Sequence, residues 1–257
     1  MLAIERQRII LDKLREDGAV RVVDLSKLFD VTEETVRRDL DKLEKQNLLK
    51  KTYGGAVSLE NDEKEVEEHP FEYRIKQNSE SKDKIGRAIA DLIQDGEILM
   101  VDCSTTCLEV LSHIEEQKKV TVITNGLSTM TLASKLSHLT LIGTGGTYRE
   151  KSISFVGPTA KNNIKSYYAD KAIISCKGIT KERGVMESSE FEAEIKQSFI
   201  ESAKETILAV DHQKIDKSAI HRLIGLEKIH YIVTDEPLDE EWLEVCRKYN
   251  IKLIIAK

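Results

Sequence analysis

The sequence predicts two domains of different class: a small helical N-terminal domain ending in a β-hairpin, then a larger α/β domain with a mainly parallel sheet. Three observations predict it. Residues 32–57 join a helical stripe to a strand-like segment punctuated by glycine. Residues 58–70 (SLENDEKEVEEHP) are acid-rich and carry no apolar period. From residue 81 onward short apolar runs alternate with amphipathic stretches. The expected boundaries are therefore 1–57, an acidic linker at 58–70, and 71–257. At 257 residues the chain has room for both domains, and no continuous apolar run approaches the ~18 residues of a membrane helix. The amino terminus MLAIERQRII is charged too early for a signal peptide, so a cytoplasmic protein with no membrane partner is expected.

The first helix is expected over 4–17, with Ile10, Leu11 and Leu14 facing inward and Gly18 as its stop. A second, at 23–29, carries Leu25, Leu28 and Phe29. Asp30-Val31 leaves room only for a tight turn before the next helix, which is helix-turn-helix spacing. In that next helix Val36, Leu40 and Leu43 recur at spacings of four and three, forming one buried stripe at roughly 100° per residue. Thr32 suits its N-cap, and Glu33 and Glu34 suit the positive end of its dipole. Arg38 falls opposite the stripe, with Arg37 on one flank and Thr35 and Lys42 on the other.

Paired arginines beside acids often form only a solvated, salt-bridged face. The neighbours favour a nucleic-acid surface instead. A strand over 48–53, a turn at Gly54-Gly55 and a return through Ala56-Val57-Ser58 make a basic wing that offers Lys50, Lys51 and Tyr53 to phosphates. The candidate DNA contacts are Thr32, Thr35, Arg37, Arg38, Lys42, Lys50, Lys51, Tyr53, Gly54 and Gly55. The net charge of −6 does not oppose this, because residues 1–60 hold 12 of the 39 Lys+Arg and 12 of the 45 Asp+Glu. The head is neutral, so its affinity must come from local placement of cations and from dimerisation, with appreciable salt dependence.

Residues 1–57 resemble the winged helix-turn-helix of the DeoR family of bacterial transcription regulators. The resemblance is carried by Ile10, Leu14 and Leu25, the run Thr32, Thr35, Val36, Arg37, Arg38, Asp39, Leu40, then Leu43 and Gly54-Gly55.

In the second domain a helix is expected over 81–94, with Ile85, Ala88, Ile89 and Leu92 on one face and Asp95-Gly96 as its stop. Apolar strands are expected at 98–101, 120–124, 139–143, 172–176, 206–210, 231–234 and 253–256. The clearest helices between them lie at 105–114, 128–136, 191–203 and 240–249.

Ligands of open α/β sheets bind beyond the carboxyl ends of the strands, so the residues just after each strand are informative. After the first comes Asp102-Cys103-Ser104-Thr105-Thr106, opening into a helix whose free N–H groups suit a phosphate, although Ser104 or Thr105 equally suits a plain N-cap. Thr124-Asn125-Gly126 and Gly143-Thr144-Gly145-Gly146 follow. Tyr148 stands where G-x-G-x-x-G needs its last glycine, and no G-x-x-x-x-G-K-[ST] occurs, which argues against dinucleotide and nucleoside-triphosphate sites. Asp170, Lys177-Gly178, Glu192 with Lys196, and Asp211 to Lys214 complete the set, the Glu192–Lys196 pair having an ordinary i,i+4 salt bridge as its default reading. Together they suit a sugar phosphate. Cys103, Cys107, Cys176 and Cys246 lack metal-ligand spacing and are expected to be free thiols, with no metal and no cofactor. His212 beside Asp211 is expected to be a polar loop residue.

Phe71 to Arg74, Asp102 to Thr106, Thr124-Asn125, Gly145-Gly146, Gly157, Asp170, Gly178, Glu192 to Lys196 and Asp211 with Lys214 resemble the DeoR-family sensor domain, itself similar in fold to ribose-5-phosphate isomerase. Cys103 stands where that family commonly has Ser or Gly. The resemblance implies that Asp102, Ser104, Thr105 and Thr106 hold a phosphate and that Thr124, Asn125, Asp170 and Lys214 frame a sugar, with Gly145, Gly146, Lys177, Gly178 and Glu192 also at the effector site. It further implies a non-enzymatic regulator, most often a repressor, that binds operator DNA of a carbohydrate operon as a homodimer or homotetramer and responds to a phosphorylated sugar. The alternative is a sugar-phosphate isomerase with a DNA-binding head, using Asp102, Asp170 or Glu192 as base. A third reading is a constitutive DNA binder whose second domain only oligomerises.

Overall fold

A computed structural model describes residues 3–17, 19–46, 48–52, 54–57 and 69–257. The chain divides into two compact units, Met1–Val66 and Glu67–Lys257. Gly18, Tyr53 and residues 58–68 lie outside the described residues, and with them the expected helix stop, one candidate wing contact and most of the expected linker.

The first unit contains α1 (Ala3–Asp17), β1 (Ala19–Arg21), α2 (Val22–Phe29), α3 (Glu33–Lys45), β2 (Lys50–Thr52) and β3 (Gly55–Val57). Its strands form an antiparallel sheet in the order β1-β3-β2. The three-residue β1 was not expected, being too short to show an alternation. Ile10 and Leu14 of α1, Val22, Leu25 and Phe29 of α2, and Val36, Leu40 and Leu43 of α3 close one apolar core with Leu49 and Ala56. Leu28 corrects the expectation, being 52% exposed. The buried face of α2 is centred on Val22, Leu25 and Phe29, and Leu28 stands about 90° from it. Asp30 turns the chain in the left-handed region (φ 52°), and the N–H of Val31 donates back to the Ser26 carbonyl at 3.1 Å. A Cβ at position 55 would lie 1.9 Å from the Val20 carbonyl oxygen, so the pairing of β1 with β3 requires glycine there.

The second unit begins with α4 (Phe71–Arg74) and α5 (Ser79–Ala90). The latter stops four residues before the expected end, because Leu92 and Ile93 donate to Ile89 and Ala90 in tighter turns. There follow β4 (Ile98–Val101), α6 (Thr105–His113), β5 (Val120–Thr124), α7 (Leu127–Ala133), β6 (Leu139–Gly143), β7 (Thr147–Arg149), β8 (Ser154–Val156), α8 (Pro158–Ile164), β9 (Ala169–Ile174), β10 (Gly178–Thr180), β11 (Gly184–Glu187), α9 (Glu190–Glu201), β12 (Ala203–Ala209), β13 (His221–Ile224), β14 (Tyr231–Thr234), α10 (Glu240–Tyr249) and β15 (Lys252–Ile255).

Seven of these strands form a parallel sheet in the order β15-β14-β12-β9-β4-β5-β6, and they are the seven expected from the apolar runs, with shifted ends at β9, β12 and β15. Alternate residues serve opposite faces. Leu99 and Val101 pack with Ile85 and Ile89 of α5 and with Val110 and Leu111 of α6, whereas Met100 packs with Ala160 and Ile164 of α8 and Phe199 of α9. Trp242 and Cys246 of α10 extend that second face. The β7-β8 hairpin and the small antiparallel sheet β10-β11-β13 were not expected; their strands have three or four residues each. From β4 the chain runs outward through β5 and β6, then crosses to β9 on the other side of β4 and runs outward again to β15. The direction reverses between β4 and β9, which opens a crevice at the carboxyl ends of those two strands.

Candidate functional site

In the head, α3 presents its polar side outward. Thr32 caps the helix by accepting from the Thr35 N–H at 3.3 Å, and the two hydroxyls lie 2.9 Å apart. Arg37 and Arg38 pair with Glu33 and Glu34, each at 3.4 Å, and the Arg38 side chain is 74% exposed. Exposed pairs of this kind contribute only about 0.3–0.5 kcal/mol, so both guanidinium groups can exchange their carboxylates for phosphates at small cost. Lys42, Lys50 and Gly54 are exposed. The half-buried Lys51 pairs with Asp41, and its backbone N–H donates to Glu44 at 2.9 Å, fixing the wing to α3. Gly55 is buried in the strand pair, which makes its role structural. Asp39, in the midst of the Arg-Arg-Asp-Leu run, faces inward: it is 3% exposed and accepts from Arg6 at 2.8 Å and Gln7 at 3.2 Å, locking α1 to α3.

In the second unit the crevice between β4 and β9 gathers buried charge. Asp102 is 1% exposed; its carboxylate accepts from the Ser104 N–H at 2.8 Å and, across the crevice, from the Ser175 N–H at 3.0 Å. Lys196 of α9 reaches in, 3.3 Å from Asp102, in contact with Glu187, and donating to the Ser175 carbonyl at 2.9 Å. Burial opposes both charges, yet the attraction prevails: Lys196 holds the Asp102 carboxyl below its usual range, and Glu187 with Asp102 holds the Lys196 ammonium well above its own. The expected i,i+4 partners of α9 thus look in different directions. Glu192 accepts instead from Ser152 at 2.6 Å, Ser154 at 2.7 Å and the Cys103 thiol at 3.0 Å. Burial, reinforced by the Glu192 carboxylate, pushes that thiol far up, so Cys103 stays a protonated donor.

Ser104 caps α6 through the Cys107 N–H at 3.2 Å. Thr105 and Thr106 are buried beside it, and the Thr106 hydroxyl has no hydrogen-bond partner among the described residues. Thr124 accepts from the Gly126 N–H at 3.1 Å, while Asn125 donates to the Phe155 carbonyl at 3.1 Å and its own buried Oδ1 has no donor among the described residues. Lys214 lies 3.1 Å from Asp211 and donates to the Ser175 hydroxyl at 3.2 Å. Lys177 is half-buried at the end of the short loop between β9 and β10. Gly145 and Gly146 turn the chain after the edge strand β6 with positive φ (61° and 117°), and Gly178 passes so close to Lys217 that a Cβ would sit 2.2 Å from its carbonyl oxygen. These glycines shape loops at the same edge of the sheet.

Asp170 stands apart and corrects the sequence reading. It is exposed at the amino end of β9, where its carboxylate accepts from the Ile98 N–H at 2.9 Å, so it lies on the edge of the sheet opposite the crevice. β9 begins at Ala169, three residues before the expected start at 172, and on either bound Asp170 stands at the amino end of the strand. His212, expected as a loop residue, bonds Asp235 at 2.7 Å.

Two cations were missed as site residues. Lys82 of α5 is 4% exposed and donates to the Arg74 carbonyl, and Arg74 of α4 donates from Nε to the His69 carbonyl at 3.1 Å. Burial and nearby Lys214 lower the Lys82 ammonium to about 8; burial and nearby Arg74 lower that of Lys177 to about 8. The overlooked signal was a lysine on the apolar stripe: Lys82 precedes Ile85 and Ile89 by three and seven positions.

Comparison with known proteins decides the family. The DeoR-like helix-turn-helix domain matches residues 6–62, and the DeoR C terminal sensor domain matches residues 77–236. The chain belongs to the DeoR family of transcription regulators. It is 34% identical to the HTH-type transcriptional regulator YulB of Bacillus subtilis, over 98% of this chain and 96% of that protein. It is 35% identical to the regulator IolR of the same organism (93% and 94%), and 32% identical to a putative aga operon transcriptional repressor of Escherichia coli O157:H7 (98% and 93%). This DeoR-family chain is therefore a DNA-binding regulator and not an enzyme. The chain has a low likeness to ribose 5-phosphate isomerase A of Methanocaldococcus jannaschii, with a TM-score of 0.41 and 15% identity over 54% of this chain and 55% of that one.

Proposed function

We propose that this DeoR-family regulator is a repressor of a carbohydrate-metabolism operon, acting in the cytoplasm as a homodimer or homotetramer, whose grip on operator DNA changes when a phosphorylated sugar occupies the crevice between β4 and β9. The observation that carries the reading is the convergence of Asp102, Thr105, Thr106, Ser175, Lys196 and Lys214 at the reversal point of a parallel sheet. On this reading Arg37, Arg38, Lys42, Lys50 and Lys51 meet DNA, and Ser104, Thr105, Thr106, Thr124, Asn125, Lys177, Glu192 and Lys214 surround the effector. The relative named for an aga operon supports the repressor sign. An effector shifts operator affinity only by binding one arrangement of the protein better than another.

The test is fluorescence anisotropy of labelled DNA from upstream of the protein's own operon, titrated with and without a panel of sugar phosphates and their unphosphorylated parents. One phosphorylated sugar should shift the affinity about tenfold or more, a coupling near 1.4 kcal/mol, while its parent sugar does not. Tight specific binding indifferent to every sugar phosphate would overturn the effector reading.

A further inference from the structure

We propose that the outer face of the β7-β8 hairpin, with Tyr148 and Phe155 at its centre and Glu150 and Lys151 at its tip, is a contact between two copies of this chain related by a two-fold axis. This deepens the homo-oligomer reading above and rests on it.

The hairpin is inverted in polarity. Strand alternation turns Ser154 and Val156 of β8 inward, and turns Phe155 outward with its register partner Tyr148 on β7. The inward side is largely polar: Ser152 and Ser154 both donate to the buried Glu192 carboxylate, at 2.6 and 2.7 Å. The outward side is aromatic. Tyr148 is 49% exposed, and its ring meets that of Phe155 edge-on with centroids 5.9 Å apart. Leu127, 39% exposed, adjoins the hairpin through its N–H, which donates to the Ile153 carbonyl at 2.9 Å. A hairpin that only rests on its own domain buries its apolar side and shows its polar one. This one does the reverse, so its outer side calls for a cover. The backbone also holds that side in place: the Phe155 N–H donates to the Asn125 carbonyl at 2.8 Å, and Asn125 Nδ2 donates to the Phe155 carbonyl at 3.1 Å. A surface fixed in advance loses little freedom when it docks.

Charge selects the occupant. Glu150 and Lys151 are adjacent and exposed at the hairpin tip, and among the described residues neither has an ion-pair partner within 4.0 Å. In a two-fold contact, residue i of one copy meets residue j of the other and the reverse. Two copies of this tip therefore supply two ion pairs, Glu150 to the opposite Lys151 and Lys151 to the opposite Glu150, around an aromatic centre. A tyrosine-rich centre inside a charged rim is the usual build of a protein contact. A second copy is also what the head requires, since 12 Lys+Arg balance 12 Asp+Glu in residues 1–60 and operator affinity must be raised by pairing heads.

The test is sedimentation velocity of the full-length protein across micromolar concentrations. The wild type should self-associate, and Tyr148→Ser should weaken that association about tenfold or more. Glu150→Lys and Lys151→Glu should each weaken it about tenfold, because like charges then face each other. An equimolar mixture of the two charge variants should return to within about threefold of the wild type, since each presents the charges the other lacks. Variants that failed to fold could not recover in this way. Tyr168→Ser, at a side chain 69% exposed just before β9, should leave association unchanged. A wild type that stays monomeric would overturn the homo-oligomer reading together with this contact. Wild-type association unchanged by Tyr148→Ser and by both charge variants would overturn the contact alone, whatever else covers the hairpin. Association lost in the charge variants and not recovered in their mixture would overturn the two-fold arrangement.

Discussion

The two domains carry their charges in opposite ways. The head lays Arg37, Arg38 and Lys42 on the outside of α3 over a dry stripe of Val36, Leu40 and Leu43, so the core and the cations occupy different sides of one helix. The sensor domain buries Asp102, Glu187, Glu192 and Lys196 in the crevice, where the same groups hold the fold together and would line the proposed site. The difference teaches what each surface can tolerate. An exposed cation of α3 can be changed with little effect on folding, whereas a charged group buried in the crevice cannot.

The sharpest break of that contrast is Lys196→Met. It leaves Asp102 and Glu187 buried without their cation and should lower stability by about 3–5 kcal/mol, measured by urea unfolding of the sensor transition. Leu40→Ala, in the fully buried stripe, should cost the head about 2–5 kcal/mol in the same experiment. Arg38→Ala should change stability by less than about 0.5 kcal/mol. It should nonetheless weaken operator binding by about 1–3 kcal/mol if it reads a base, or flatten the salt dependence by about one unit if it meets a phosphate. A large stability loss there would erase the separation of roles in the head.

The smallest effect concerns pH. Lys82 and Lys177 titrate near 8, below the usual lysine value of 10.5, with Lys214, Arg74, Asp211 and Glu109 facing Lys82, and Arg74, Glu187, Lys214 and Lys196 facing Lys177. Folded pKa values below the unfolded ones mean that both groups oppose folding below pH 8 and that this opposition fades as pH rises from about 8 to 10.5. Stability should therefore rise between about pH 8 and 10.5, a trend that urea unfolding across that interval would reveal. Constant stability across it would contradict the lowered lysine values.

Legibility in the sequence follows the same division. Helix α3, its Thr32 cap and its outward arginines were readable because a helix writes its buried face into a local period. The seven sheet strands were readable as apolar runs, since a parallel sheet is covered on both faces. What escaped reading was non-local. Three-residue strands such as β1 and β10 have no period to show, and Glu192 found serines 38 and 40 positions away. Lys82 was written on an apolar stripe, but only the approach of Arg74, Lys177 and Lys214 from other segments gives that position its meaning.

The most direct measurement compares wild type, Arg38→Ala and Thr105→Ala for operator affinity and for binding of the sugar phosphate identified by the titration panel. Arg38→Ala should lose operator affinity and keep effector affinity; Thr105→Ala should keep operator affinity and lose the effector. Equal damage to both activities by both substitutions would contradict a recognition head controlled by a separate ligand-binding domain.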